Sequence, residues 1–232
     1  MLSVLPSIDV SVTTLAPGFR ALSITAEATR IIHPDIANAA LADACKSVIA
    51  GEASWADTHL AAWADVFRKF GAKPQRTPCS AEALRKRVLR DGGMPGIDPV
   101  VDLYNAVSLQ YAIPVGGENL AAYVGAPRLT MADGTEQFDV MKDGLLAQER
   151  PEPGEVIWRD DEGVTCRRWN WRQGVRTRLN AETRHMWFIL ESLPAMPLKA
   201  LYDAGERLTD GLQRMMPGVC IETALIGSDR RE

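Results

Sequence analysis

The chain has no CxxC pair, no GxSxG turn and no unbroken apolar run of bilayer length, and each absence removes a class of function. Its four cysteines, Cys45, Cys79, Cys166 and Cys220, lie far apart with no histidine beside them. That spacing suggests neither a zinc site nor a redox pair, and it leaves four free thiols. The three histidines, His33, His59 and His185, are equally scattered. Members of a catalytic triad meet only in the fold, but without a nucleophile elbow classical serine-hydrolase chemistry is disfavoured. The sequence therefore implies no metal and no cofactor. A membrane helix needs roughly 18 to 20 apolar residues, and the longest candidates here are broken by charges. The opening MLSVLPSIDVSVTT lacks the basic and long apolar regions of a secretory signal. The location these features imply is the cytoplasm, with no membrane partner.

What is present is ordinary globular material: 232 residues, 46% apolar and 24% charged, enough for a sizeable core. No repeat, low-complexity segment or linker divides it, so a single domain over 1–232 is expected. The net charge of −4 argues against coating nucleic acid by charge alone, and no DNA partner is expected. The basic residues are nevertheless grouped. Arg68, Lys69, Lys73, Arg76, Arg85, Lys86, Arg87 and Arg90 face only Glu82 within their stretch, and Arg167, Arg168, Arg172, Arg176 and Arg178 interleave with Trp169 and Trp171. The groups read either as a local phosphate-facing surface or as solvated faces paired with acids elsewhere in the chain.

Periodicity gives the elements. Ile8, Val10 and Val12, then Leu22, Ile24 and Ala26, alternate around Ala16-Pro17-Gly18 and predict two strands and a turn. Helices are predicted from Asp35 to Gly51, from about 54 to 70 with Trp63 and Phe67 inward, and over 80–90 with Ser80 as cap and Arg85, Lys86, Arg87 and Arg90 largely on the wet side. Asp98-Pro99 marks a fourth start, with Asp98 as N-cap. Short strands and turns fill 121–171, and a hairpin is predicted from 156–158 and 164–171. Strand alternation would put Cys166, Arg168 and Asn170 on one side, and Arg167, Trp169 and Trp171 on the other. The run MWFILESL predicts a buried strand, 198–216 a helix and 219–226 a closing strand.

At 73–120 the sequence reads KPQRTPCSAEALRKRVLRDGGMPGIDPVVDLYNAVSLQYAIPVGGENL. A basic helix, a short loop and a VVD-x-x-N helix there lead to Pro114 and the segment Val115-Gly116-Gly117-Glu118. This pattern resembles the B3/B4 module of the phenylalanyl-tRNA synthetase beta subunit. The stretch CRRWNWRQGVRTRLNAETRHMWFILESL, 166–193, is similar to the glycine-rich segment and following ETxxxxxES-like strand of that module. The resemblance spans about 73–193. It implies an α+β fold with a mixed sheet and helices around a small-molecule or aminoacyl pocket, and tRNA or aminoacyl-tRNA as partner. The module's pocket histidine falls at Gly116 in this chain, and its pocket glutamate near Val175.

An aminoacyl ester is already activated, so its hydrolysis needs mainly orientation, a held water and dipoles aimed at the oxyanion. The resemblance places Asn105 in that role, and Arg168 and Asn170 are the nearby side chains available to replace the missing anchors. Gly116, Gly117, Glu118 and Asp102 become candidate substrate contacts, the glycine N–H groups as a cradle for a carbonyl oxygen. Arg76, Arg85, Lys86, Arg87, Arg90 and Arg172 become candidate RNA contacts. Three functions remain open: a metal-independent deacylase of mischarged aminoacyl-tRNA, an RNA-binding module without catalysis, and a small-molecule or amino-acid binder that has lost RNA. The third would show its arginines paired internally.

Overall fold

An inner strand buried on both faces organises the molecule, because apolar side chains alternate in its sequence without a polar face. The computed structural model describes residues 5–227. In chain order the elements are β1 (Ser7–Ile8), α1 (Val10–Leu15), β2 (Arg20–Glu27), α2 (Asp35–Ala50), α3 (Ala56–Lys69), α4 (Ser80–Asp91) and α5 (Pro99–Tyr111). Then come β3 (Val115–Asn119), β4 (Arg128–Met131), β5 (Phe138–Lys142), β6 (Leu145–Glu149), β7 (Val156–Arg159) and β8 (Val164–Arg167). The chain closes with β9 (Arg172–Gln173), β10 (His185–Ser192), α6 (Leu198–Met215) and β11 (Cys220–Gly227). One antiparallel sheet runs β11-β2-β10-β3, and a second, mixed sheet runs β1-β4-β7-β8-β9 with β1 parallel to β4. β5 and β6 form a separate hairpin.

The inner strand is β10. Met186, Phe188 and Leu190 pack with Leu22 and Ile24 against α2, α5 and α6, while Trp187 and Ile189 join a second core with Trp158 and Leu129 of the mixed sheet, Trp169 of the turn between β8 and β9, and Trp63 and Phe67 of α3. Helices, sheet and sheet thus stack in three layers, and burial on both sides explains the unbroken apolar run MWFIL. His59 pins α3 to this assembly. Its Nδ1–H donates to the Ala112 carbonyl at 2.9 Å, and its Nε2 accepts from Trp63 Nε1 at 3.2 Å and the Leu193 N–H at 3.1 Å. Burial lowers its pKa to about 4, so the ring is neutral.

Two local expectations change. The first predicted strand is short, and Val10–Leu15 is helical because Asp9 accepts the Ser11 N–H at 2.8 Å and caps the turn. Ser80 is the first residue inside α4 and not its cap; Cys79 holds the extended cap position. Asp98 caps α5 as its sequence predicts, accepting from Val100 and Val101 N–H at 2.9 and 3.2 Å. No described helix is long and apolar enough to cross a membrane.

Candidate functional site

The register of two strands builds the floor of a cavity. Trp187 lies opposite Glu118 and Ile189 opposite Gly116, while the Glu191 N–H donates to the Pro114 carbonyl at 3.0 Å. Cross-strand partners share a face, so Glu118, Trp187, Ile189 and Glu191 all project the same way. Gly116 leaves the centre of that floor open; a Cβ there would approach Ile189 Cγ2 to 3.3 Å. Above the floor lies a cavity of about 290 Å³, walled by α4 through Ser80 and Leu84, by α5 through Tyr104 and Asn105, and by the mixed sheet through Trp158, Cys166 and Gln173.

The remaining wall is a strained corner. After β8, Arg168 and Trp169 adopt φ of 46° and 63°, the left-handed region that costs a non-glycine residue about 1–2 kcal/mol. Several bonds hold the chain there. The Arg168 N–H donates to Glu155 Oε1 at 3.0 Å, and the Asn170 and Trp171 N–H groups close back on the Arg168 and Arg167 carbonyls at 2.8 and 3.2 Å. The bend ends strand alternation, so Trp169, Asn170 and Trp171 all reach the cavity.

Glu191 is 1% exposed and accepts three neutral donors at 2.9 Å: the indole N–H groups of Trp158 and Trp169, and Asn170 Nδ2. Glu118 is also buried and accepts from the Tyr123 hydroxyl, which lies 3.2 Å from Thr165 Oγ1. Burial pushes both carboxyls from the usual 4.5 to about 7, against the pull of their donors. Burial and these carboxylates together push the Cys166 thiol well above its ordinary range, so it is a poor nucleophile. Among the described residues, neither Lys nor Arg lines the cavity. Three polar groups facing it lack a hydrogen-bond partner among the described residues: the Ser80 hydroxyl, Asn170 Oδ1 and the Asn105 amide.

A B3/4 domain profile matches residues 62–224. The chain belongs to the B3/4 domain family. Among solved structures, this B3/4 protein is similar to an N-terminal fragment of the phenylalanyl-tRNA synthetase beta-subunit from Pyrococcus horikoshii, at 10% identity and a TM-score of 0.51. The match covers 97% of this chain and 55% of that one, so the B3/4 chain spans about half the length of the synthetase fragment. That likeness establishes the α+β fold with its mixed sheet. No curated protein sequence matches the chain significantly.

Within the B3/4 fold, the structure brings together Asn105, Gly116, Gly117, Glu118 and Asn170 around the cavity. Arg168 does not join them. The left-handed turn swings it away, and its guanidinium stacks on the Trp171 ring at 4.6 Å with Nε 3.7 Å from Glu155. Asp102 is also absent, since its carboxylate is buried and accepts the Ile97 N–H at 2.9 and 3.1 Å. The Gly116-Gly117 segment is strand, not loop, because ladder pairing with β10 outweighs glycine's turn preference. Successive N–H groups in a strand point oppositely and make no cradle.

The candidate RNA contacts are similarly rearranged. Arg85 is buried, since with Ala81 and Val88 it completes the inward face of α4, and its Nη1 donates to the Leu109 carbonyl at 2.8 Å. Lys86 pairs with Glu82 at 2.6 Å, Arg90 with Asp91 at 2.7 Å and Arg172 with Glu149 at 3.5 Å. Arg76 and Arg87 are exposed. Glu191, Trp158 and Trp187 carried no role in the sequence reading. The signal was there: a charge inside an apolar strand is a buried charge that needs a reason.

Proposed function

We propose that the cavity takes the aminoacyl group of an aminoacyl-tRNA and hydrolyses its ester. The observation supporting this is the mismatch inside the cavity: two buried carboxylates, a free amide oxygen and aromatic walls, with no basic side chain among the lining residues. Such a lining suits an ammonium donor flanked by π-faces, and the α-amino group of an aminoacyl ester is one. The Asn105 amide is available to the ester carbonyl. A carboxylate with a pKa near 7 has the basicity to accept a proton from an attacking water. Water oxygen would bond to the carbonyl carbon, the ester C–O bond would break, and the ribose oxygen would leave with a proton as a hydroxyl. The tRNA half of the proposal draws its support from the family and not from the cavity.

A second reading, a free amino-acid binder without RNA, is favoured by the internal pairing of the arginines: Arg167 with Glu155, Arg176 with Asp160, and Lys86 and Arg90 on α4 with their neighbours. One experiment separates them. The purified protein is incubated with a panel of aminoacyl-tRNAs, and in parallel its melting temperature is followed with free amino acids and amino-acid amides. Accelerated deacylation of at least one ester, lost in Asn105→Ala, supports the deacylase. Thermal shifts with no deacylation select the binder. Neither response defeats both readings.

A further inference from the structure

We infer that Glu191, Asn170 and Ser80 form an ammonium-binding subsite within the cavity, and that a primary amine of the occupant sits there. This rests on the aminoacyl reading above and deepens it. That reading assigns Glu118 to the attacking water and Asn105 to the ester carbonyl, so neither is available to hold a cation. Glu191 is the carboxylate left for that task.

The three side chains come from three walls. Glu191 belongs to β10, Asn170 to the corner after β8 and Ser80 to the first turn of α4, and all three line the cavity. The Glu191 N–H is bonded to the Pro114 carbonyl, and its charge is felt at Cys79, the neighbour of Ser80. Burial pushes that thiol up to about 12, and Glu191 adds to the rise.

Each of the three keeps unused hydrogen-bonding capacity. Glu191 Oε1 accepts both indole N–H groups, whereas Oε2 accepts only Asn170 Nδ2, each at 2.9 Å. A carboxylate only accepts, so this bond fixes the amide with Nδ2 toward Glu191 and Oδ1 away from it. Asn170 is 9% exposed, and neither its Oδ1 nor the Ser80 hydroxyl has a hydrogen-bond partner among the described residues. A buried acceptor without a donor is costly, and an incoming N–H group removes that cost. Carboxylate, amide oxygen and hydroxyl oxygen make three acceptors, and a primary ammonium brings three donors.

The charge decides the chemical class. All three donors on Glu191 are neutral, and no guanidinium or ammonium among the described residues pairs with it. A neutral hydroxyl would satisfy one acceptor and leave the buried carboxylate without a countercharge, and an anion would add to the charge already there. Two parts of an aminoacyl group carry such an amine: the α-position of every ester, and the end of a lysine-type side chain.

The test uses three amides with the same carbon chain. L-norleucinamide has only the α-amine, Nα-acetyl-L-lysinamide only the side-chain amine, and Nα-acetyl-L-norleucinamide neither. In isothermal titration at least one amine should bind about tenfold tighter or more than the amine-free amide, as expected for a charge-assisted contact to a buried carboxylate. In Glu191→Gln, with its folding checked by a thermal melt, that difference should vanish. Tighter norleucinamide assigns the subsite to the α-ammonium, and tighter acetyl-lysinamide assigns it to a side-chain amine; either result supports the inference. All three amides behaving alike, or a preference that survives in Glu191→Gln, would overturn it. Deacylation without any such preference leaves the aminoacyl reading standing. If no amide binds and no aminoacyl ester is hydrolysed, that reading fails as well.

Discussion

Two carboxylates sit on either side of one backbone corner and are buried almost equally, Glu155 at 3% and Glu191 at 1% exposure. Glu155 receives the Arg167 guanidinium through Nε and Nη2 at 2.9 and 2.8 Å, with the Arg168 N–H as a third donor. Glu191 receives two indoles and an amide. The first carboxylate has its countercharge within the chain; the second has hydrogen bonds but no countercharge among the described residues. Burial is therefore not what distinguishes them. Of these two, the uncompensated charge is the one the fold places at a cavity, which is where an external cation would complete it.

Three substitutions would break or sharpen this contrast. The largest effect belongs to Arg167→Ala, which strands Glu155 without its guanidinium. A loss of about 3–5 kcal/mol in denaturant-derived stability is expected, as for one partner removed from a buried pair. A loss under about 1 kcal/mol would mean that Glu155 is as tolerant of isolation as Glu191, and the contrast would collapse.

The second is Glu191→Gln, read as a function of pH. Because the folded pKa of Glu191 is raised from 4.5 to about 7, its favourable contribution is complete below 4.5 and is lost as pH rises through 7. The glutamine variant should gain on the natural protein across that window, by up to about 3 kcal/mol for one group shifted by roughly 2.5 units. His59 runs the other way: its pKa is lowered to about 4, so its contribution is present above 6.5 and lost as pH falls toward 4. Taking the difference between the two proteins removes the His59 part. Parallel stability-versus-pH curves would contradict the environment assigned to Glu191.

The smallest effect is that of Gly116→Ala. The added methyl meets Ile189 Cγ2 at 3.3 Å, so stability should change by less than about 1 kcal/mol. Its methyl projects onto the cavity floor beside Ile189, however, so affinity for amino-acid amides should fall. Unchanged affinity would place the occupant elsewhere.

Much of the fold is legible in the residues. Asp98-Pro99, Gly51 and Gly92 mark helix ends through capping chemistry that acts locally, and the both-face burial of β10 is written in its apolar run. The site was legible only in part. Asn105, Gly116, Gly117, Glu118 and Asn170 converge, but Arg168 does not, because the prediction extended period-2 alternation through a corner that two left-handed residues break. Nothing local in Arg168-Trp169 announces positive φ. It is imposed by Glu155 and Glu191, which lie 13 and 22 residues from their partners in sequence. Arg85 failed for a related reason: a long cationic side chain reads as wet until the carbonyl at Leu109 is seen beneath it.

The indole groups that hold Glu191 have an optical consequence. Four of the six tryptophans in the chain border the cavity, two of them with their N–H groups on one ionisable carboxylate. Indole emission responds to charge beside the ring, and the edge-to-face neighbours Trp158–Trp187 at 5.4 Å and Trp63–Trp169 at 5.2 Å are close enough to exchange excitation. A proton or an ammonium arriving at Glu191 is thus written into the intrinsic fluorescence of the protein. Ligands can be screened against it by emission alone, without label or substrate.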